Sequence, residues 1–179
     1  MNQPVIDIVS GLDYPLIEPL VAMQQLAFPP TMQPRDPAAY FREALADPGN
    51  INVLLRAGSG ELIGYLLALP HLSVCAELQP WDPDLTEDPT AIYIDIVQTL
   101  PGRRQAGGFV ALLEGVCGES RKRGYARVAM HVRTSTGLSA LTQKLFCDCR
   151  ARRRIENWYG SEEAFDYLEA APRLRSKPL

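Results

Sequence analysis

One segment joins a strand, a basic loop with paired glycines and an amphipathic helix, and it constrains the fold more than any other part of the chain. Residues 91–98, AIYIDIVQ, are rich in Ile, Val and Tyr and predict a strand. The loop 103–108, RRQAGG, carries two arginines and two adjacent glycines. The helix that follows places its apolar residues on one face, namely Phe109, Leu112, Leu113, Val116 and Cys117. A strand, a turn and a helix in this order predict an α/β domain with a central sheet.

The loop in this segment has the chemistry of an anion site. Glycine lets the backbone approach a ligand closely, and the first turn of a helix offers unpaired N–H groups and a positive dipole end. Arg103 and Arg104 add charge, so the loop predicts a phosphate or pyrophosphate site. It matches neither the P-loop pattern nor G-x-G-x-x-G. Taken alone, it is equally a glycine-bearing turn whose arginines are merely solvated.

The remaining chain predicts further strands and helices in the order β-α-α-β-β-β-α-β-α-β. Asp36-Pro37 predicts a helix start, and 76–90 reads as an acidic loop. Residues 150–158 read as basic and then strand-like, and Ser161 starts a short terminal element. The other predicted strands are 4–9, 51–56, 61–69 and 127–132.

Length and composition narrow the class of protein. The chain has 179 residues, which predicts a single domain over 1–170, and the tail 171–179, with two prolines and three basic residues, is expected to be disordered. A net charge of -3 argues against nucleic acid as a partner. No apolar run has the length of a membrane span, and no signal peptide is read. Four cysteines without metal-ligand spacing predict free thiols in the cytoplasm and no metal site.

The segment from Arg104 to Phe109, RQAGGF, followed by Leu-Leu-Glu, resembles the GNAT acyltransferase superfamily, whose loop has the form [R/Q]-x-x-G-x-[G/A] before a helix with a Leu-Leu pair. The resemblance covers most of the chain. The chain also departs from the pattern, because Phe109 stands at the last Gly or Ala unless the register moves to start at Arg103. No tyrosine lies between Tyr125 and Tyr159, although many members carry one on the helix after the fifth strand. Depending on register, its place is taken by Thr142, Gln143 or Phe146.

The resemblance implies an α/β fold with a mixed, mostly antiparallel sheet, splayed fourth and fifth strands and helices on both faces. It implies acetyl-CoA as the co-substrate, with its pantetheine arm paired to the backbone of Ile96, Val97 and Gln98. The pyrophosphate would lie on the loop formed by Arg103, Arg104, Gln105, Ala106, Gly107, Gly108 and Phe109. The acceptor would be a small-molecule or peptide amine that attacks the thioester directly in a ternary complex. Homodimers are common in this family.

Three side chains are candidates for the chemistry. Tyr93 and Asp95 share one face of the fourth strand, because side chains alternate along a strand. Asp95 could take a proton from the amine or could pair with an arginine, and Tyr93 is a second site member or a core aromatic. Tyr159 is a substitute acid, a wall of the substrate site or an aromatic that packs on the last strand. His131 is expected to be a half-buried strand residue rather than a catalyst.

Two charged segments leave alternatives open. The acidic stretch 77–88 could attract a cationic amine, although a solvated loop is the plainer interpretation. The arginines at 150 and 152–154 could hold an acidic peptide or the adenosine 3′-phosphate, or could protect a strand edge from aggregation. The hypotheses are therefore an N-acetyltransferase, a catalytically degenerate GNAT-like module that binds CoA, and a nucleic-acid binder. Residues 157–159 and 162–164 are similar to ribosomal-protein N-terminal acetyltransferases, which favours peptides as acceptors.

The loop hypothesis predicts the outcome of one double substitution. Arg104→Ala combined with Gly107→Glu should abolish CoA binding, since a carboxylate would stand where the pyrophosphate must lie. Isothermal titration calorimetry with CoA measures the effect, and an undiminished affinity would contradict the assignment.

Overall fold

Seven strands form one mixed sheet in the computed structural model, which describes residues 4–101 and 107–175. The strand order is β1-β2-β3-β4-β5-β7-β6. The strands are β1 (Val5–Val9), β2 (Ile51–Arg56), β3 (Leu62–Pro70), β4 (Ala91–Thr99), β5 (Arg127–Arg133), β6 (Arg150–Ile155) and β7 (Phe165–Ala170). The helices are α1 (Tyr14–Ala27), α2 (Pro37–Ala46), α3 (His71–Leu78), α4 (Gly108–Lys122) and α5 (Leu138–Leu145).

The direction of the strands confirms the predicted fold class. β1 pairs with β2, β2 with β3, and β7 with both β5 and β6, all antiparallel. β4 and β5 run parallel, and their pairing joins Ala91–Tyr93 to Arg127–Ala129. β4 continues for six residues beyond Tyr93, and β5 continues for four beyond Ala129. The sheet is therefore mixed and mostly antiparallel, as the resemblance implied.

The chain divides into two compact units, Met1–Ala68 with Ile96–Val116, and Leu69–Asp95 with Cys117–Leu179. In the first unit, α1 and α2 bury apolar side chains against β2 and β3. The residues of this core are Leu16, Leu20, Met23, Phe41, Ala44, Leu45, Leu54, Tyr65, Leu67 and Ile96. Helix α2 begins as predicted, because the Asp36 carboxylate accepts a hydrogen bond from the Ala39 N–H at 2.9 Å and Pro37 occupies the first helical position. The single domain over 1–170 stays a prediction.

The second unit contains a helix that the sequence interpretation missed. Residues 76–78, predicted to open an acidic loop, belong to α3. Pro70 has extended backbone angles and ends β3, and its ring precedes the first helical residue. The buried side chains of α3 are His71, Val74, Cys75 and Leu78, an i, i+3, i+4, i+7 spacing that was present in the sequence.

The C-terminal part of the second unit forms a hairpin-like pair of strands. β6 contains the arginine-rich segment and lies at the edge of the sheet, and the terminal element predicted from Ser161 is the strand β7. The predicted disorder of the tail does not hold for residues 171–175. The Arg175 N–H donates to the Leu145 carbonyl at 2.8 Å, and Leu174 forms a β-bridge with Phe146.

Among residues 4–101 and 107–175, no helix has both the length and the apolar character that are needed to cross a membrane.

Two glycines of α4 predict opposite effects on stability. A Cβ on Gly115 would lie 2.8 Å from Val53 Cγ1 in the core, whereas a Cβ on Gly118 would meet no atom of the described part of the chain within 4 Å. Gly118→Ala should stabilise the fold by up to about 1 kcal/mol through helix propensity. Gly115→Ala should destabilise it by about 1–3 kcal/mol, because the β-branched valine cannot move aside cheaply. Urea unfolding of both variants checks this, and equal effects would contradict the packing argument.

Candidate functional site

The predicted pyrophosphate loop is described only at its end. Arg103, Arg104, Gln105 and Ala106 lie outside the described residues. Gly107 has φ +71°, a left-handed conformation that favours glycine, and a Cβ there would meet no atom of residues 4–101 or 107–175 within 4 Å. A Cβ on Gly108 would lie 2.6 Å from Leu55 Cδ2, so the tip of that leucine would have to move to accommodate it. Phe109 is half-buried in the first turn of α4.

Strand β4 presents its predicted site residues on one face. Tyr93 is 3% exposed, and Asp95 and Val97 are half-buried, so this face becomes more open along the strand. Ile96 and Gln98 belong to the opposite, buried face.

The side chain of Gln98 has a structural task. Its amide nitrogen donates to the Met23 carbonyl at the end of α1, and its buried Oε1 has no hydrogen-bond partner among the described residues. The predicted cofactor contact of Gln98 concerned only its backbone, and that contact stays a prediction.

A buried chain of polar groups begins at Tyr93. The Tyr93 hydroxyl lies 2.9 Å from His131 Nδ1, and His131 Nε2 lies 3.0 Å from Asp82 Oδ2. Arg153 contacts both carboxylate oxygens of Asp82, with Nε 2.6 Å from Oδ1. The side chains of His131 and Asp82 are each 1% exposed. The four groups come from β4, β5, the segment after α3, and β6.

The structure confirms one expectation from the sequence and corrects another. His131 is a half-buried residue of β5, as expected, but its side chain is 1% exposed and lies at the centre of the polar network. Asp82 was assigned to a solvated acidic loop, whereas it is buried between a histidine and an arginine. The residues around Asp82 in the sequence do not indicate that it has a buried partner, because Arg153 lies 71 positions further along the chain.

Aromatic rings enclose the polar chain. His131 stacks on Trp158 with ring centroids 3.9 Å apart and 24° between the planes, and its centroid lies 4.8 Å from that of Tyr167. The Arg153 guanidinium lies 4.3 Å from the centre of the Tyr167 ring, a cation–π contact. His71 Nε2 lies 3.1 Å from the Tyr167 hydroxyl. The side chains of His131 and Asp82 are thus shielded from solvent, which strengthens the electrostatic interaction between them.

The chemistry of these groups assigns their protons. Burial opposes ionisation of Asp82, but hydrogen bonds from His131 and Arg153 outweigh it and lower the pKa of this carboxyl to about 2. Burial lowers the pKa of His131, against the opposing effect of Asp82, so the imidazole is neutral at pH 7. An ionised carboxylate only accepts, so His131 carries its proton on Nε2. Nδ1 therefore accepts the hydrogen bond of the Tyr93 hydroxyl, whose pKa burial and the charge of Asp95 raise well above its usual value.

Tyr159 lies in a strained turn next to a tryptophan. Its φ of 52° is in the left-handed region, which is uncommon for a residue with a large side chain. Its ring packs against Trp81 at 5.4 Å and against Trp158 at 5.2 Å. Burial raises the pKa of the half-buried Tyr159, with further contributions from the charges of Asp95 and Glu77. Tyr159 is therefore a protonated donor at neutral pH, near the carboxylate of Asp95.

The helix after β5 offers no tyrosine in the place of the family residue. Thr142 is 1% exposed, and its hydroxyl has no hydrogen-bond partner among the described residues. Gln143 donates to the Ser139 hydroxyl at 3.2 Å, and Phe146 is fully buried.

Three of the four arginines of β6 form ion pairs within the chain. Arg152 pairs with Glu169 at 2.8 Å, Arg154 pairs with Asp166 at 2.9 Å, and Arg153 pairs with Asp82. Its position at the sheet edge agrees with the plainer of the two interpretations, a charged edge that resists pairing with other chains.

Comparison with known proteins shows the fold. No family model matches the sequence, and none of the curated proteins matches it. Among solved structures, the ribosomal-protein-S18-alanine N-acetyltransferase from Escherichia coli is 16% identical, with a TM-score of 0.67 and 99% of each chain covered. NAA60 from Arabidopsis thaliana in complex with acetyl-CoA is 16% identical, with a TM-score of 0.69, 94% of this chain and 98% of that chain covered. The aminoglycoside 6'-N-acetyltransferase from Enterococcus faecium is 14% identical, with a TM-score of 0.66, 97% of this chain and 99% of that chain covered.

The chain has the fold of the GNAT N-acetyltransferases, along nearly its whole length. The resemblance inferred from the loop and the helix after β4 is thereby confirmed for the fold.

The buried carboxylate predicts a pH dependence of stability. The pKa of Asp82 is 3.8 without its partners and about 2 in the fold, a difference of about 2 kcal/mol. Because the pKa in the fold is the lower one, this stabilisation is present above about pH 4 and is lost as the pH falls through about 2. The difference in unfolding free energy between the wild type and Asp82→Asn should shrink over that range.

Urea unfolding at pH 7, 4 and 2 measures this difference. Asp148→Asn, at an exposed aspartate, is the matched control and should follow the wild type at each pH. A difference for Asp82→Asn that stays constant between pH 4 and pH 2 would contradict the assignment of an ionised carboxylate.

Proposed function

We propose that this chain is an N-acetyltransferase that moves an acetyl group from acetyl-CoA to a primary amine. The observation that carries the proposal is the hydrogen-bonded chain Tyr93–His131–Asp82, which begins where β4 and β5 stop pairing. It stands in a GNAT fold, and two of the similar structures are complexes, one with coenzyme A and one with acetyl-CoA. An ammonium must lose a proton before its nitrogen can attack the thioester, and this chain of groups can accept one.

The residues fit acetyl-CoA on three counts. Gly107 is open to a close ligand, and the first turn of α4 presents its N–H groups to an anion. β4 extends six residues beyond its paired segment, so the backbone of Ile96, Val97 and Gln98 is assigned to the pantetheine arm. The arginines of the loop would add charge to the pyrophosphate site. The same backbone can donate a hydrogen bond to the oxyanion that forms during attack.

Two groups compete for the proton of the acceptor. A protonated alkyl amine has a pKa of about 10.4 and cannot attack until it is neutral. Asp95 is half-buried on the accessible part of the β4 face and can take the proton directly or through water. Tyr93 can take it instead by passing its own hydroxyl proton to His131 Nδ1 at 2.9 Å.

The thiolate of CoA leaves with or without an acid. Tyr159 holds its proton at neutral pH because burial raises its pKa, and we assign it to protonation of the thiolate. A thiol pKa near ~8.5 also permits departure as the anion, so loss of the family tyrosine slows such an enzyme without abolishing its activity.

The acceptor is assigned to a cationic amine of a small molecule or a peptide. Trp81 and Tyr159 form an aromatic wall, and both Glu77 and Asp95 lie close enough to affect the pKa of Tyr159. Aromatic faces and carboxylates both favour an ammonium group. The resemblance of residues 157–159 to ribosomal-protein acetyltransferases favours a peptide. A cytoplasmic location and a homodimer remain expectations of this proposal.

A CoA-binding module without activity is the second candidate. It is favoured by the absence of a tyrosine between Tyr125 and Tyr159 in the sequence. Such a protein would bind CoA and leave the thioester intact with every acceptor.

An acetyl-transfer assay distinguishes the two candidates. The wild type should release free CoA thiol from acetyl-CoA in the presence of a primary amine, across a panel of small amines and peptides. Asp95→Asn should lower kcat by about 10²-fold at pH 7 if Asp95 is the base. Asp148→Asn is the control for removal of one negative charge. CoA binding by calorimetry with no turnover on any acceptor would support the degenerate module.

A further inference from the structure

We propose that Asp82 is a positioning residue that, held in place by Arg153, fixes His131 with its proton on Nε2 and compensates the charge His131 gains when Tyr93 passes it a proton. The inference rests on the proposed function, and it assigns a role in that reaction to two residues outside the β4 face. It follows from which atoms donate and which accept within the buried chain.

The first step is the geometry of the carboxylate. Asp82 receives Arg153 Nε on Oδ1 at 2.6 Å and His131 Nε2 on Oδ2 at 3.0 Å. With a side chain that is 1% exposed, it cannot turn to solvent, and an unpaired charge there would be strongly disfavoured. The guanidinium is itself held over the Tyr167 ring at 4.3 Å. The carboxylate therefore has one orientation, with one oxygen aimed at the imidazole.

The second step is the tautomer of His131. The His131 ring stacks on Trp158 with 24° between the two ring planes, and this packing opposes rotation of the imidazole. The two nitrogens of the imidazole therefore keep different partners. Nε2 faces a carboxylate that can only accept, so Nε2 carries the proton. Nδ1 keeps a lone pair for the Tyr93 hydroxyl at 2.9 Å. Without Asp82, either nitrogen of His131 could carry the proton, and in one of the two tautomers Nδ1 could not accept the proton of Tyr93.

The third step is the proton balance. The N–H bond of the acceptor ammonium breaks, and its proton goes to the Tyr93 oxygen. The O–H bond of Tyr93 breaks, and that proton forms a new bond to His131 Nδ1. The amine becomes neutral and the imidazole becomes an imidazolium, so one positive charge moves inward. Asp82 carries the compensating negative charge at 3.0 Å from Nε2.

The surroundings of His131 determine the sign of the pH effects. The titratable groups that face it are Asp82 from the segment after α3, Tyr93 from β4, Arg153 from β6 and Tyr167 from β7, with His71 of α3 close by. Asp82 raises the pKa of His131, and the charge of Arg153 lowers it. His131 can take the proton of Tyr93 only while its imidazole is neutral. The fall of kcat at low pH, which is the acidic limb of the kcat profile, should therefore follow the pKa of His131.

Two variants should therefore shift that limb in opposite directions. Asp82→Asn should lower kcat by about 10²-fold and shift the acidic limb to lower pH, with the KM for acetyl-CoA unchanged. Arg153→Gln should shift the limb to higher pH, because it removes a positive charge and leaves the carboxylate beside the imidazole. A structural role alone would lower stability in both variants without this opposed shift.

The matched control is Asp166→Asn. Asp166 is another buried aspartate, 7% exposed, that pairs with an arginine of β6 at 2.9 Å and contacts neither His131 nor Tyr93 through any hydrogen bond of the described residues. It should lose stability while retaining the wild-type kcat and pH profile. A kcat for Asp82→Asn equal to that of Asp166→Asn would overturn the proposal.

A second measurement does not depend on activity. Nitrogen-15 NMR of imidazole-labelled protein reports the tautomer and the pKa of His131 directly, with His131→Asn used for assignment. The wild type should show the Nε2–H form at pH 7, and Asp82→Asn should show a mixture or the Nδ1–H form. An Nδ1–H form in the wild type would overturn the proposal. Wild-type protein with the expected tautomer but no acetyl transfer would instead contradict the proposed function.

Discussion

The buried ion pair between Asp82 and Arg153 is the interaction on which the second unit of this protein depends. A carboxylate in a nearly dry environment is tolerated only with full hydrogen-bonded compensation, and here a guanidinium and an imidazole supply it. The pair joins the segment after α3 to the edge strand β6, and through His131 it also engages β5 and β4. Removing Arg153 would leave the ionised Asp82 carboxylate with neutral His131 as its hydrogen-bond partner, and no compensating charge beside it. Placement of that one carboxylate thus fixes the orientation of several other side chains.

The same pair explains why an edge strand with four arginines is compatible with the fold. Three of the arginines point to acidic partners on neighbouring segments, Asp82, Asp166 and Glu169, so the strand contributes specific contacts as well as charge. Arg153 differs from the other two because it reaches inward, over the face of Tyr167. An arginine suits that position because its planar group stacks on a ring and still donates to both oxygens of a carboxylate.

Strand β4 connects the cofactor hypothesis with the acid–base hypothesis. Its first residues pair with β5, and Tyr93, the last of them, reaches the buried histidine. Its later residues extend beyond that pairing and carry the half-buried Asp95. Alternation of side chains puts Tyr93 and Asp95 on one face and the buried side chains of Ile96 and Gln98 on the other, which is the arrangement on which the proposed function depends.

An α/β domain with a central sheet followed from local patterns, because alternation, helical spacing and the positions of Pro and Gly act over a few residues. Asp36 at a helix start and β4 before α4 were correct for this reason. The mostly antiparallel arrangement of that sheet was implied by the resemblance to the GNAT superfamily. The helix α3 was missed although its spacing was present, since the acidic residues after it suggested a loop. The sequence also determined Tyr93, Asp95 and Tyr159 as candidates, by position on a strand or in a late motif. Only the tertiary structure brought Asp82, His131 and Arg153 together, because buried charges are satisfied by partners far away in the chain, and no local pattern records which partner that will be.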